Sequence, residues 1–428
     1  MGGDMVAALG RATLDGVTLF GHNCRRAGRT ALTLHRGVGR CHAPEERVET
    51  NGVVVPQARE TYTAVGVQTV GQWGYHHGVN TWGVAAGCTR VRTRMTCDSP
   101  TLAGTDLVRL GLERSRTARS AVDHVTDFLS RYGQGTGAAD RRIDSAFLFA
   151  DASEAYVLET AGRYWVDQEV REIRGVSDVS TVRQDWDGIA PGFSGLAIEQ
   201  GWWPADGSKV DFGGVAAAAK TPIADPFRRW GRATLLLEEQ NGHVDLAFVR
   251  RVLSDHYEGC SDEIDPLRPR HDLSSLCPHG RTKDATTTGA SLVVQLPREA
   301  AARIAWYCPG PPCVGVYLPL VLAGDIMEAC GASASDIHDR FADLLCQALR
   351  SRSDWDLCRD SLGRLQARFD QEAEEFVAEA VESSPELGRR ATLFMRHALE
   401  RFEEAIEGLL QPWASQRATA GTPALLYP

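Results

Sequence analysis

Met5-Val6-Ala7-Ala8-Leu9, then Gly10-Arg11-Ala12-Thr13, then Leu14-Asp15-Gly16, then Val17-Thr18-Leu19-Phe20-Gly21-His22-Asn23: this N-terminal stretch opens the reading of the fold. Two short apolar, β-prone runs flank an Asp-Gly turn signal, which predicts a β-hairpin. Tyr62 to Val70 alternates as a further strand, and Trp82 to Ala86 follows a turn expected at Gly78-Val79-Asn80. From Asp106 to Tyr132 the period changes. Leu107, Leu110, Ala118, Ala121, Val122, Val125 and Leu129 recur near 3.6 residues, and Gly133-Gln134-Gly135 supplies a stop, so a helix is predicted. Strands return in Ala146 to Ala150 and Ala155 to Glu159, a second hairpin signal, and again in Ala285 to Leu296 and Val314 to Leu318. Residues 185–225, rich in Gly, Pro and Trp, read as a long structured loop. Strands, then helix, then strands argue for a layered α+β fold.

From about Asp325 the character shifts. Leu362, Leu365, Phe369 and Phe376 share one helical face, as do Leu399, Phe402, Ile406 and Leu409, with Glu and Arg on the other faces. The expected division is a main body over 1–323 and a C-terminal helical extension over 324–428. The extension packs on the body or on a second subunit, or stands as a binding module.

The chain of 428 residues has the composition of a globular protein and a net charge of −10, which argues against non-specific nucleic-acid binding and against docking on anionic membranes. Eleven scattered cysteines, odd in number and without a CxxC, fit reduced thiols in a cytoplasm better than a disulfide framework. No basic and apolar leader opens the sequence and no run of eighteen apolar residues occurs, so neither a signal peptide nor a membrane span is expected. His76-His77 and Cys277-Pro278-His279 match no standard zinc spacing, so no metal is expected, and Gly37-Val38-Gly39 lacks the third glycine of a dinucleotide loop.

Several blocks together resemble the secernins and the bacterial cysteine dipeptidases, members of the N-terminal-nucleophile (Ntn) hydrolases. They are Val6 to Gly16 with Leu19-Phe20-Gly21-His22-Asn23; His77-Gly78-Val79-Asn80-Thr81-Trp82-Gly83-Val84; Gly104 to Arg114, closing in Tyr132 to Gly135; Ala155 to Thr160 with Gly162 to Trp165; Gln200-Gly201-Trp202-Trp203; and Gly310 to Val316. The resemblance spans about residues 4–320 in the family's order. It implies an α+β, four-layer αββα sandwich. It also implies hydrolysis of an amide in a small peptide or acyl-amino acid through a cysteine acyl-enzyme, with no cofactor.

In that mechanism the N-terminal cysteine supplies the thiolate and its own α-amino group serves as base. An arginine favours the thiolate, and an asparagine amide with backbone N–H groups holds the oxyanion. Counting back from Asp15 by the bacterial spacing lands on Gly3, followed by Asp4; the secernin spacing lands on Met5. Neither is a nucleophile, and residues 1–5 hold no Cys, Ser or Thr. Three explanations follow: an engineered inactivation at Gly3, a natural degenerate homologue, or a site rebuilt on another thiol. Cys24, beside Arg25-Arg26, is the candidate for the last, or else a small side chain replacing serine.

Arg26 matches the family's arginine and Asn80 its oxyanion asparagine, although Asn80 also suits a turn. Ser177-Asp178 stands where the family often has Ser-Asn, placing a carboxylate where an amide should donate. Arg229 and Arg232 are candidates to grip a substrate carboxylate, or lie on a solvated basic helix end. The expected activity as written is very low. The alternatives are a catalytically silent binding or scaffold homologue and a variant that transfers the acyl group to an amine. A homo-oligomer is possible.

Overall fold

A computed structural model describes residues 2–27, 30–96, 101–135, 143–218, 224–268, 273–280, 286–330, 333–380 and 386–420. In chain order the strands are β1 (Gly3–Ala8), β2 (Thr18–Ala27), β3 (Leu32–Gly37), β4 (Arg47–Glu49), β5 (Val54–Pro56), β6 (Ala64–Thr69), β7 (His77–Asn80) and β8 (Ala85–Arg92). They continue with β9 (Ile143–Ala150), β10 (Ala155–Ala161), β11 (Tyr164–Glu169), β12 (Ile173–Val176), β13 (Gly188–Ile189), β14 (Thr286–Leu296), β15 (Ile304–Cys308) and β16 (Leu318–Val321). The helices are α1 (Gly104–Arg114), α2 (Ala118–Tyr132), α3 (Phe193–Glu199), α4 (Phe212–Ala216), α5 (Ala224–Glu239), α6 (Leu246–Leu253), α7 (Ile326–Cys330), α8 (Ser333–Ala348), α9 (Arg352–Glu379) and α10 (Leu387–Ala420).

One sheet has the order β12-β1-β2-β14-β15-β16 and a second the order β13-β11-β10-β9-β8-β7-β6-β3. Every pairing in both is antiparallel. β1 and β2 of the first sheet lie against β8 of the second. α5 and α6 cover the outer face of the first sheet, and α1 and α2 cover the outer face of the second. This is an α+β sandwich with αββα layering. Strand β1 is buried along its whole length because helices cover one face and a sheet the other, so it reads as a continuous apolar run rather than an alternating one.

The predicted N-terminal hairpin is present, with Ala8 opposite Leu19. Its connection is longer than a tight turn: Asp15-Gly16 sits inside the loop 9–17, with Gly16 at φ 77°. The predicted helix over 106–132 is two helices. The break falls at Ser115-Arg116-Thr117, where the Thr117 hydroxyl accepts from the Ser120 N–H and caps α2. The turn expected at 78–80 lies instead at 81–83, because Gly78 to Asn80 pair with β6. Residues 185–225 contain α3, α4 and the short β13, and Val314 to Tyr317 precede β16 rather than forming it.

The C-terminal helices pack on β16 and β3, one edge strand from each sheet. They cover backbone that would otherwise offer unpaired hydrogen-bonding groups. Phe341, Trp355, Leu362 and Phe369 are buried in the same apolar core as Trp306 and Val293. Among the described residues no helix is long and apolar enough to cross a membrane.

Candidate functional site

Alternation along β1 sends neighbouring side chains to opposite faces. Asp4 points toward α5, while Met5 reaches the facing sheet near Gly87. The register pairs Gly3 with Cys24 and Asp4 with Asn23. On β2, His22 faces the second sheet, whereas Asn23 faces the helices and donates to the carbonyls of Leu253 (2.7 Å) and Leu276 (2.8 Å). The N-terminal strand thus carries Gly3 at the interface of the two sheets and Asp4 behind it.

Behind Gly3 lies a network of buried charge. Asp4, fully buried, pairs through one oxygen with Arg25, and its other oxygen accepts from Ser177 Oγ (2.5 Å) and Arg229 Nε (3.2 Å). Arg229, 1% exposed, also donates to Asp178 (2.8 Å) and to Asp225 one turn earlier on α5. Asp178 accepts the Gly3 N–H at 3.0 Å, contacts the Thr89 hydroxyl, and lies 3.6 Å from Arg25. Thr89 also donates to the Gly3 carbonyl (3.0 Å). Burial opposes ionisation of Asp178, yet Arg25 and Arg229 outweigh it and hold the carboxyl below its ordinary pKa.

On the other side of Gly3 sits His22. Its imidazole, with the Asn23 carbonyl oxygen 2.5 Å from the same point, occupies the space where a β-carbon on residue 3 would stand. A β-carbon on Gly87 of the facing sheet would lie 2.7 Å from His22 Nδ1, so the ring fits between two glycines. His22 Nδ1 is 3.0 Å from His77 Nδ1, and His76 bonds Thr69 (2.9 Å). Burial, with His76 adding to it, pushes the pKa of His22 down to about 3, and burial above all lowers that of His76 to about 4. His22 is therefore a neutral ring at physiological pH.

The expected site residues fare differently. Gly3 and Asp178 are adjacent, but Asp178 does not present a bare carboxylate to a reacting group, because it is held by the Gly3 N–H, Thr89 and two arginines. The arginine that meets Asp4 and Asp178 is Arg25; Arg26 lies on the alternate face of β2, with Cys24, and donates to the Thr30 carbonyl (2.7 Å). Cys24 is buried, and burial raises its thiol to about 12, so it is not the acidified thiol expected beside two guanidinium groups.

Asn80 spends its amide on the backbone around the end of α1 and the turn after β7. Its amide donates to the carbonyls of Leu112 (2.8 Å) and Ser115 (2.7 Å) at the end of α1, and its oxygen accepts from the N–H groups of Trp82 and Val84 (both 3.0 Å). Both amide protons are engaged, so the group has no donor left for an oxyanion. Arg229 is enclosed by three carboxylates, and Arg232 is held by Asp255 (2.7 and 3.0 Å), so neither guanidinium is presented to a substrate carboxylate.

Asp4, Arg25, Thr89 and His22 escaped the sequence reading as site residues. Period-two alternation on both strands, with Gly3 set opposite Cys24, would have put Asp4 and Arg25 on one face.

No family model matches the chain. It is similar to the solved structure of penicillin V acylase from Agrobacterium tumefaciens, with 14% identity over 71% of this chain and 82% of the acylase and a TM-score of 0.41. It is also similar to a mutant of conjugated bile acid hydrolase from Clostridium perfringens, with 13% identity over 71% of this chain and 88% of the hydrolase and a TM-score of 0.37. A third similar structure is a Caenorhabditis elegans ortholog of N-acylethanolamine-hydrolyzing acid amidase, with 11% identity over 68% and 91% and a TM-score of 0.33.

Proposed function

We propose that this chain is a non-hydrolytic homologue of the Ntn amide hydrolases, of the secernin and cysteine-dipeptidase type, acting as a binding or scaffold protein. The ancestral chemistry on this reading is attack of an N-terminal cysteine on the amide of a small peptide or acyl-amino acid. The sequence blocks and the position of β1, inside one sheet between β12 and β2 with residue 3 facing the other sheet, support that descent.

The observation that carries the non-hydrolytic reading is the closure of the nucleophile's space. His22 and the Asn23 carbonyl stand where the β-carbon of residue 3 would be, and Asp178 holds the Gly3 N–H. The α-nitrogen of residue 3 is thus a donor to a carboxylate rather than a base beside a thiol. A natural loss of the site accounts for this better than a single engineered change at Gly3, because Asp178, which stands where the resemblance expects an asparagine, is the group that holds the Gly3 N–H.

The test is amino-acid release from a panel of dipeptides and acyl-amino acids, measured for this chain and for Gly3→Cys. Neither is expected to hydrolyse any of them. Turnover by Gly3→Cys alone would overturn the closed-site reading while supporting the descent; turnover by the chain as it stands would overturn the non-hydrolytic reading and point to a nucleophile other than residue 3, such as Cys24.

A further inference from the structure

Away from Gly3, three segments distant in sequence bring His256, His279 and Cys313 together, with their ligating atoms all within 4.8 Å of one another. His256 follows α6, His279 lies in the segment entering β14, and Cys313 lies between β15 and β16. The two Nε2 atoms are 3.1 Å apart with the rings edge to face at 70°. Two imidazole nitrogens at zinc–nitrogen distances of ~2.0–2.1 Å on a tetrahedral ion would be about 3.3 Å apart. Cys277, two residues before His279 and fully buried, hydrogen-bonds with Cys313, so a second sulfur adjoins that of Cys313.

We infer that His256, His279 and Cys313 form a structural zinc site, with Cys277, hydrogen-bonded to Cys313, drawn in as the fourth ligand when the ion binds. Two imidazoles and two thiols suit zinc, and soft sulfur donors argue against magnesium or calcium. A hydrogen bond between the histidines would be the simplest other account of their contact. It does not explain why the Cys313 thiol converges on the same two imidazoles.

The surroundings match a built site. Glu258 Oε1 lies 3.5 Å from His256 Nδ1, the position from which a carboxylate orients a metal-bound imidazole. Tyr257, next to His256, has φ 63°, the sole non-glycine in the left-handed region among the described residues, a strain kept only where the surroundings impose it. Trp355 of α9 stacks on His279, centroids 5.4 Å apart, so the ion would tie the C-terminal helices to the body. With Cys277 as the fourth ligand no coordination position stays open, which makes the role structural rather than catalytic.

Metal analysis of the full chain purified from zinc-supplemented growth tests this, with cobalt titration of the chelator-stripped protein. The expected result is stoichiometric zinc, with tetrahedral cobalt bands and a thiolate-to-cobalt charge-transfer band. His279→Gln and Cys313→Ser should each weaken binding by at least about 10-fold, and Glu258→Gln by ~10–100-fold. Should a ligand variant fail to fold, the cobalt spectrum of the unsubstituted chain decides. Absence of stoichiometric binding by that chain overturns the site. So does a Cys277–Cys313 disulfide, seen as two thiols missing from the eleven on denaturation.

Discussion

The imidazole of His22 fills the space that a β-carbon on Gly3 would need, and Gly87 leaves room for the same ring on the facing sheet. Overpacking at such a point forces either the ring or the strand to move. Gly3→Ala is therefore expected to destabilise the chain by about 1–3 kcal/mol, and His22→Gly should recover part of that loss in the double variant. Urea unfolding of the four proteins of the cycle measures it. A neutral Gly3→Ala would mean that the space is open.

His22 also sets a pH dependence. Its pKa is about 3 in the fold, against an ordinary value of 6.5, because burial disfavours the charged ring. Below pH 6.5 the unfolded chain binds a proton that the folded chain does not, so this residue's contribution to stability falls as pH falls from 6.5 toward 3. His22→Gln removes that penalty. Its destabilisation relative to the parent should be smaller at pH 5 than at pH 7 by about 2 kcal/mol. An equal difference at both pH values would show that the ring titrates normally.

Asp4 is the hinge of the buried charge network, touching Arg25, Arg229 and Ser177 at once. Asp4→Ala leaves two buried guanidinium groups short of a partner, and removal of one member of a buried pair costs about 3–5 kcal/mol. The expected outcome is a large fall in the denaturant midpoint. A loss below about 1 kcal/mol, the range of exposed ion pairs, would contradict the burial described for the cluster.

Asn80 satisfies two carbonyls and two N–H groups around the turn after β7. Asn80→Ala leaves buried polar groups unpaired at about 1–3 kcal/mol each. Melting should report a loss of about 3 kcal/mol or more, with Asn80→Asp also destabilised because a carboxylate faces the carbonyls of Leu112 and Ser115. A mild effect from Asn80→Ala would reopen a role for its amide elsewhere.

A chain truncated after residue 323 should not fold to a stable monomer. Trp355, Leu362, Phe369 and Phe341 are nearly fully buried within the common core. Full burial of such side chains is worth about 1.5–3 kcal/mol each, and a few of them approach the ~5–15 kcal/mol that holds a typical domain together. Circular dichroism and size-exclusion chromatography of the truncated chain give the answer; a compact, cooperative 1–323 would make the extension a separable module.

Much of the fold was legible because it rests on local pattern. The apolar run of Met5 to Leu9, the 3.6-residue period through Leu107 to Leu129 and the apolar helical faces at Leu362 and Leu399 each follow from how side chains must distribute about a strand or a helix. That residue 3 is a glycine and that residues 1–5 hold no Cys, Ser or Thr was equally plain, since it is a matter of residue identity. What side chains do for one another across the fold was not available there. Whether Arg25 or Arg26 meets Asp4 depends on strand register and face. Whether Asn80 offers its amide to a ligand depends on the end of α1, and whether Cys24 is acidic depends on burial, which raised it instead. His256, His279 and Cys313 carry no zinc spacing because their proximity comes from three chain segments converging. Local periodicity is encoded residue by residue, whereas contacts between distant segments exist only once the sheets have packed and the loops have closed.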